Sequence, residues 1–394
     1  MLVIGVDASR ATLGRRSGTE NYSLHLIRGL IGLGTGHHLR LYTNGQPRPG
    51  LFWEGTRPKG VEVRSLPFPR LWTHVRLSIE MFSRPPDVLF VPAHVLPLIH
   101  PRRSVVTVHD LGYLYYPDAH RPADQCYLRW STGWSARHAS ALLADSAATK
   151  ADLVRAYGVD PDRVHVVYLG RDEGLAPVRD PGRLAAVREH YGIGGDYLLY
   201  LGTLQPRKNL ARLIEAFGRL AGQPALEGVQ LVLAGKPGWD YHALAALVTR
   251  LGLASRVLFP GYVAETDLAA LLSGAIAFVF PSLYEGFGLP VLEAQACGVP
   301  VMTSNNSSLP EVAGDAALFV DPHDVDAIAA AMYRLVTDEG LRAELVRRGL
   351  ENVKRFSWEK CARETLAVLE AVASGQGPDS QSDRRGRVGR GSHR

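Results

Sequence analysis

Two glutamates, Glu285 and Glu293, close the run Glu-Gly-Phe-Gly-Leu-Pro-Val-Leu-Glu with seven residues between them. The run follows Ile276–Phe280, an apolar stretch of strand length, so both acids fall on the turn and first helical turn beyond a strand end. Pro290 suits the first position of that helix, which makes Leu289 its N-cap, and leucine has no oxygen to offer the exposed amides. Gly286 and Gly288 let the backbone approach a ligand closely, so a phosphate or a sugar hydroxyl suits those amides. The plainer alternative is that Glu293 complements the helix dipole and Glu285 is a solvated loop acid. It would suffice for either acid alone; the whole arrangement favours a site.

A second segment, Gly202-Thr-Leu-Gln-Pro-Arg-Lys-Asn209, joins the strand-like run Tyr197–Leu201 to a helical pattern begun at Asn209. Arg207 and Lys208 stand there at a helix start, where the dipole repels each cation by roughly 0.3–1 kcal/mol. An anion between them reverses that, and a diphosphate fits, since arginine offers a fork and lysine a point charge. Two exposed cations are the alternative. Upstream, His109-Asp110 ends the run Ser104–Val108, and Leu13–Tyr22 is a glycine-bearing loop after the first strand. A structural His–Asp pair and a tight turn are the respective alternatives.

Other chemistries lack their residues. There is no GxGxxG and no GxxxxGK[ST], and the single Gly-Lys pair, Gly235-Lys236, precedes Pro237, which disfavours a dinucleotide dehydrogenase and a P-loop ATPase. The triplets Asp160-Pro-Asp162 and Asp324-Val-Asp326 read as a turn and a helix start rather than metal ligands. Cys126, Cys297 and Cys361 are widely spaced and odd in number, which argues against disulfides and a structural zinc.

The elements that must position these residues follow from short apolar runs alternating with helical patterns. Seven runs precede residue 170 and six lie between Tyr197 and Val320, with a polar interval from Arg171 to Asp180. Two doubly wound parallel α/β domains follow, with ligands expected beyond the carboxyl ends of strands. Boundaries are expected at 1–175 and 190–356, with a last helix over 358–372 free to return to the first domain. With 394 residues, 46% hydrophobic and 21% charged, the chain has ample length and composition for two cores. Of the +5 formal charge, residues 375–394 carry +3, and this Arg-rich tail has one aliphatic residue. A disordered, solvated tail is expected, with an RNA or anionic-membrane role as the alternative. No run reaches the roughly 18 apolar residues of a membrane span, and residues 1–6 read as a strand rather than a leader, so the cytoplasm is expected. The stretch Arg70–Arg84 mixes apolar and basic residues; it reads as a core-packing helix first and as a membrane-grazing one second.

On the motif from Glu285 to Glu293, the Gly202 segment and the Leu13–Tyr22 loop, the sequence resembles the retaining, nucleotide-sugar-dependent glycosyltransferases of family 4. The resemblance is strongest from Tyr197 to Met332. It implies the GT-B fold: two Rossmann-like domains facing across a cleft that closes on the donor. It implies that Glu285 contacts the donor sugar, Glu293 the ribose, and Arg207 with Lys208 the diphosphate, while the Phe287, Gly288 and Leu289 amides hold sugar or phosphate. Gly14 and Gly18 belong to the loop over donor phosphates and acceptor, and His109 lies near the reacting centre. The sequence departs from many members at Thr203, where they carry arginine, and shares this form with a mannosyltransferase-like branch of polysaccharide assembly. The implied reaction moves a hexose from GDP- or UDP-hexose to a saccharide or lipid-linked acceptor without metal or cofactor. Peripheral contact with the inner membrane face rests on the second reading of the Arg70–Arg84 stretch alone, and a specific nucleic-acid partner is not expected. A sugar phosphorylase, a nucleotide-sugar epimerase and a non-catalytic nucleotide-sugar or nucleic-acid binder are the rival readings.

Overall fold

The structure, a computed structural model, describes residues 1–14, 18–93, 95–117, 121–238 and 241–375. The expected tail, apart from Gly375, and residues 15–17 of the first glycine loop lie outside the described residues.

The short apolar runs become parallel strands, many of them buried along their whole length, as sheets covered on both faces require. The first sheet holds β1 (Val3–Asp7), β2 (His38–Thr43), β3 (Val61–Ser65), β4 (Val88–Val91), β5 (Ser104–Val108), β6 (Ala141–Ala144) and β7 (Val164–Val166). Its order is β3-β2-β1-β4-β5-β6-β7. The second holds β8 (Tyr197–Leu201), β9 (Gln230–Ala234), β10 (Val257–Gly261), β11 (Ala277–Phe280), β12 (Val301–Ser304) and β13 (Ala317–Val320), ordered β10-β9-β8-β11-β12-β13. Every pairing is parallel. In each sheet the winding reverses beside the first strand, between β1 and β4 and between β8 and β11. Loops diverge at such a point and open a crevice at the carboxyl ends of the strands.

The chain divides into two compact units, residues 1–170 with the chain from Phe356 onward, and Arg171–Arg355. The second therefore starts earlier than the sequence boundary of 190, because the helix Pro181–His190 packs on the helix Glu265–Ser273. Arg183 pairs with Asp267 at 2.6 Å, and the Tyr191 hydroxyl donates to the same carboxylate at 3.0 Å. In the first unit the last helix, Trp358–Ser374, lies against Gly18–Gly32. A Cβ at Gly29 would come within 2.8 Å of the Ala362 methyl, and one at Gly170 within 2.3 Å of the Trp358 backbone nitrogen. Trp358 also stacks on His25 with ring centroids 5.0 Å apart. No helix among the described residues is long and apolar enough to cross a membrane.

Candidate active site

In the second unit, the segments leaving β8 and β11 border the switch point, and the residues singled out by sequence lie on both. After β8 the backbone turns at Gly202 (φ 152°) and runs against the loop after β9. Leu204 N donates to the Lys236 carbonyl at 3.0 Å. A Cβ on Gly235 would fall 1.9 Å from the Gly202 carbonyl oxygen, and one on Gly238 1.9 Å from that of Leu204. Only glycine permits backbones this close. The Gly235–Gly238 loop, dismissed above as a phosphate loop, is thus the support on which the Gly202 segment rests. Thr203 is exposed and its carbonyl accepts from the Tyr200 hydroxyl at 3.2 Å.

Pro206–Lys208 forms a single 3-10 turn, and Asn209 is left-handed (φ 62°) before the helix Leu210–Leu220. Asparagine tolerates this conformation, and here its buried side chain is a tie. Nδ2 donates to the Pro281 and Pro322 carbonyls at 3.0 and 2.6 Å, while Oδ1 accepts from Arg212 at 2.9 Å. Asn209 is the N-cap of this helix, so Arg207 and Lys208 stand just before its start, as the sequence pattern has them, but in a 3-10 turn of their own.

The two cations converge on Glu285 instead. Arg207 Nη1 is 3.0 Å from Oε2, Lys208 Nζ is 2.5 Å from Oε1, and Ser282 Oγ donates to Oε1 at 2.6 Å. Lys208 also lies 4.9 Å above the Phe280 ring. Lys208 and Glu285 are each 8% exposed, which excludes a solvated loop acid. Burial alone would raise the Glu285 carboxyl, but the charges of Arg207 and Lys208 outweigh it and hold it at about 2.

The segment after β12 clamps this loop. Glu285 N donates to Ser307 Oγ at 3.1 Å, Ser308 Oγ lies within donating distance of the Glu285 and Phe287 carbonyls (2.9 and 2.6 Å), and Asn306 Nδ2 donates to the Leu283 carbonyl at 2.9 Å. Sequence reasoning passed over these residues. Their signal was available: Asn305-Asn-Ser-Ser308 is a polar run at a strand end.

The helix after the glycine loop runs Leu289–Ala296 and starts one residue earlier than expected. Gly288 (φ 123°) is its N-cap and Leu289 its first residue, because glycine adopts the required angle and leucine does not; no side chain caps the first turn. Phe287 is buried. Glu293, one turn in, is partly buried, and its carboxyl makes no hydrogen bond or ion pair among the described residues. Burial, with the Asp172 charge adding to it, pushes its carboxyl up to about 7.

The first unit places His109 at the carboxyl end of β5, 8% exposed. Its partner is Asp145 rather than the adjacent Asp110: Nδ1 is 2.7 Å from Asp145 Oδ2, and Nε2 is 3.0 Å from the Pro92 carbonyl oxygen. Asp110 instead accepts from Gly112 N at 2.8 Å. Both ring nitrogens face acceptors, so two protons are shared by the imidazole and Asp145. Burial opposes protonation of His109, but the Asp145 charge prevails and raises it. Tyr22 packs edge-on against the ring at 4.7 Å. Gly18 opens the helix Gly18–Gly32, and among the described residues no atom lies within 4 Å of where its Cβ would stand, while a Cβ on the exposed Gly14 would meet Arg48 at 3.7 Å.

Chemically, the Glu285 carboxylate marks a place where Arg207 and Lys208 hold an anion, at the strand ends where a ligand is expected. Asp160 and Asp324 accept from backbone amides of their own turns, as helix-start aspartates do. Among the described residues no group of three His, Cys, Asp or Glu side chains is placed to hold a metal ion.

Comparison with known proteins adds the following. The family model of glycosyl transferases group 1 matches residues 188–352, and that of glycosyltransferase family 4 matches residues 16–174. Over 272 residues the chain is 38% identical to O-antigen chain mannosyltransferase B of Escherichia coli, covering 68% of itself and 71% of that protein. It is 34% identical over 227 residues to the serotype-specific mannosyltransferase WbdA of Escherichia coli, covering 57% of itself but only 28% of that longer protein. Sucrose-phosphate synthase from Thermosynechococcus elongatus superposes with a TM-score of 0.73 at 21% identity, over 95% of this chain and 100% of that one. Anabaena HepE, solved with UDP and glucose, superposes with a TM-score of 0.70 at 21% identity, over 94% and 99%. At such identities the structural likeness is one of fold.

Proposed function

The chain belongs to the group 1, family 4 glycosyltransferases of the GT-B class, and from that membership we propose that it moves a hexose, mannose first among candidates, from a nucleoside-diphosphate sugar to an acceptor hydroxyl in polysaccharide assembly. The observation that carries this reading is the convergence of Arg207 and Lys208 on one buried carboxylate at the β8/β11 switch point. A pair that holds a carboxylate is placed to hold diphosphate oxygens. Mannose and a saccharide acceptor are supported by the names of the relatives, and a uridine base by the UDP bound in the neighbouring fold; guanosine and a lipid-linked acceptor belong to the proposal alone. The reaction is assigned to the cytoplasmic side, at the inner membrane face.

In the mechanism, the acceptor oxygen bonds to the anomeric carbon on the face that the diphosphate leaves, which retains configuration. The bond from that carbon to the phosphate oxygen breaks, and the acceptor proton passes to the departing diphosphate. Arg207 and Lys208 stabilise the leaving charge, worth on the order of 3–4 kcal/mol for a preorganised donor in a dry site. The Gly288 and Leu289 amides at the helix start add to it. Glu285, released from the cations by the incoming diphosphate, turns to the hexose hydroxyls, and Glu293 holds the ribose. His109, with both nitrogens engaged, is suited to offer positive charge rather than to act as a free base. Thr203, beside the two cations in sequence, belongs to the phosphate side in this proposal. No metal takes part.

The test is thermal unfolding with GDP, UDP, ADP and their hexose conjugates, with and without EDTA, followed by NMR of the glycoside formed. Stabilisation by GDP or UDP that EDTA leaves intact, about 2.7 kcal/mol at 100 times Kd, with a retained anomeric configuration in the product, is expected. Stabilisation by none, or a product of inverted configuration, overturns the reading.

A further inference from the structure

The stretch Arg70–Arg84 resolves into two faces. On one, Trp72 is buried with its indole N–H donating to the Leu66 carbonyl at 2.7 Å, and Leu77 and Met81 join the same core. Glu80, 3% exposed, is held there by Arg64 at 3.0 Å and Arg76 at 3.5 Å. On the other face Leu71, Val75, Ile79 and Phe82 are 67%, 37%, 54% and 79% exposed. Steps of four, four and three residues put them in one row along a helical surface. Leu71 enters that row from a left-handed conformation (φ 55°), which a residue with a Cβ rarely adopts.

The row has neighbours of the same kind. Ile99 N donates to Ser78 Oγ at 3.2 Å, which sets the half-exposed Leu98 and Ile99 beside it. His74 bonds the Tyr127 hydroxyl at 2.9 Å and packs on Trp130, adding two exposed aromatic rings. Among the described residues from Arg70 to Arg103, the exposed charges are Arg70, Arg84, Arg102 and Arg103 against Asp87 alone. A contiguous apolar face with a basic rim marks an interaction surface.

We propose that this face docks on an anionic lipid bilayer, with Leu71, Ile79 and Phe82 in the headgroup–acyl boundary and the arginines among the lipid phosphates. The rim selects this occupant over a second copy of the chain, because a two-fold interface through the same patch brings arginine against arginine. The inference builds on the membrane-side placement of the transferase, and its test reads lipid binding instead of transfer, so either can fail alone.

The experiment is flotation of the full chain with vesicles of phosphatidylcholine plus phosphatidylglycerol, and with phosphatidylcholine alone, beside the Ile79→Ser/Phe82→Ser double variant. Both side chains are largely exposed, so the variant keeps its thermal midpoint. Every arginine of the face and of the chain's basic end remains, so their attraction to the vesicles is common to both proteins. The expected result is flotation of the wild type that is stronger with phosphatidylglycerol, and a fall of about tenfold or more in the variant's partition coefficient. Equal flotation of the two proteins, or none of the wild type, overturns the proposal. So does a wild-type dimer in sedimentation velocity that the double variant abolishes while vesicles capture neither.

Discussion

Glu285 and Glu293 are the same residue type on one short segment, yet their surroundings drive their protons in opposite directions. Glu285 loses its water but gains two cations, which hold it ionised at about 2. Glu293 loses water without a cation and faces the Asp172 charge, so it rises to about 7. Folding therefore favours protonated Glu293; that contribution is complete below about pH 4.5 and is lost as pH rises through 7. Across pH 5 to 8.5, wild type should lose up to about 3 kcal/mol of stability relative to Glu293→Gln, read as diverging thermal midpoints. Parallel midpoints would show a carboxyl that stays hydrated. Lys208→Ala removes one leaving-group cation and leaves Glu285 to Arg207 and Ser282. Transfer measured as kcat/KM should fall by roughly 100- to 1,000-fold, with weaker nucleotide diphosphate binding in calorimetry. Unchanged binding would remove Lys208 from the diphosphate site.

At the scale of elements, strands were readable because a buried parallel strand is a short unbroken apolar run; β5, β8, β9 and β13 have the expected ends. Helix starts were harder. Which residue caps the helix Leu289–Ala296, and the 3-10 turn that carries Arg207 and Lys208 up to the helix after β8, depended on left-handed backbone at Gly288 and Asn209. Tertiary ties set these angles; the Asn209 side chain, for example, reaches the Pro281 and Pro322 carbonyls. Two glycines separate packing from chemistry at this scale. Gly170→Ala drives a methyl into the Trp358 backbone and should cost about 3 kcal/mol or more, with loss of the thermal transition. The methyl of Gly18→Ala meets no atom of the described residues within 4 Å, so its stability should stay within about 0.5 kcal/mol of wild type. Its turnover should nonetheless drop if the loop closes over donor phosphates; full turnover would assign that loop a structural role alone.

For the whole molecule, the alternation of runs and helical patterns already determined two doubly wound α/β domains, and the glycine-flanked acids and paired cations pointed to the strand ends where we propose the site. These are local properties: apolar run length, the missing Cβ of glycine and side-chain charge are written residue by residue. Tertiary structure decided who meets whom. Arg207 and Lys208 lie 78 and 77 residues from Glu285 and pair with it because β8 and β11 are neighbours in the sheet. Asp145, not Asp110, holds His109 because β5 and β6 are adjacent. The helix Pro181–His190 joins the second unit through Asp267, and the last helix joins the first through Gly29 and Gly170. Contacts between distant segments, and the protonation states that follow from their burial, depend on strand order and close packing, which no local pattern encodes.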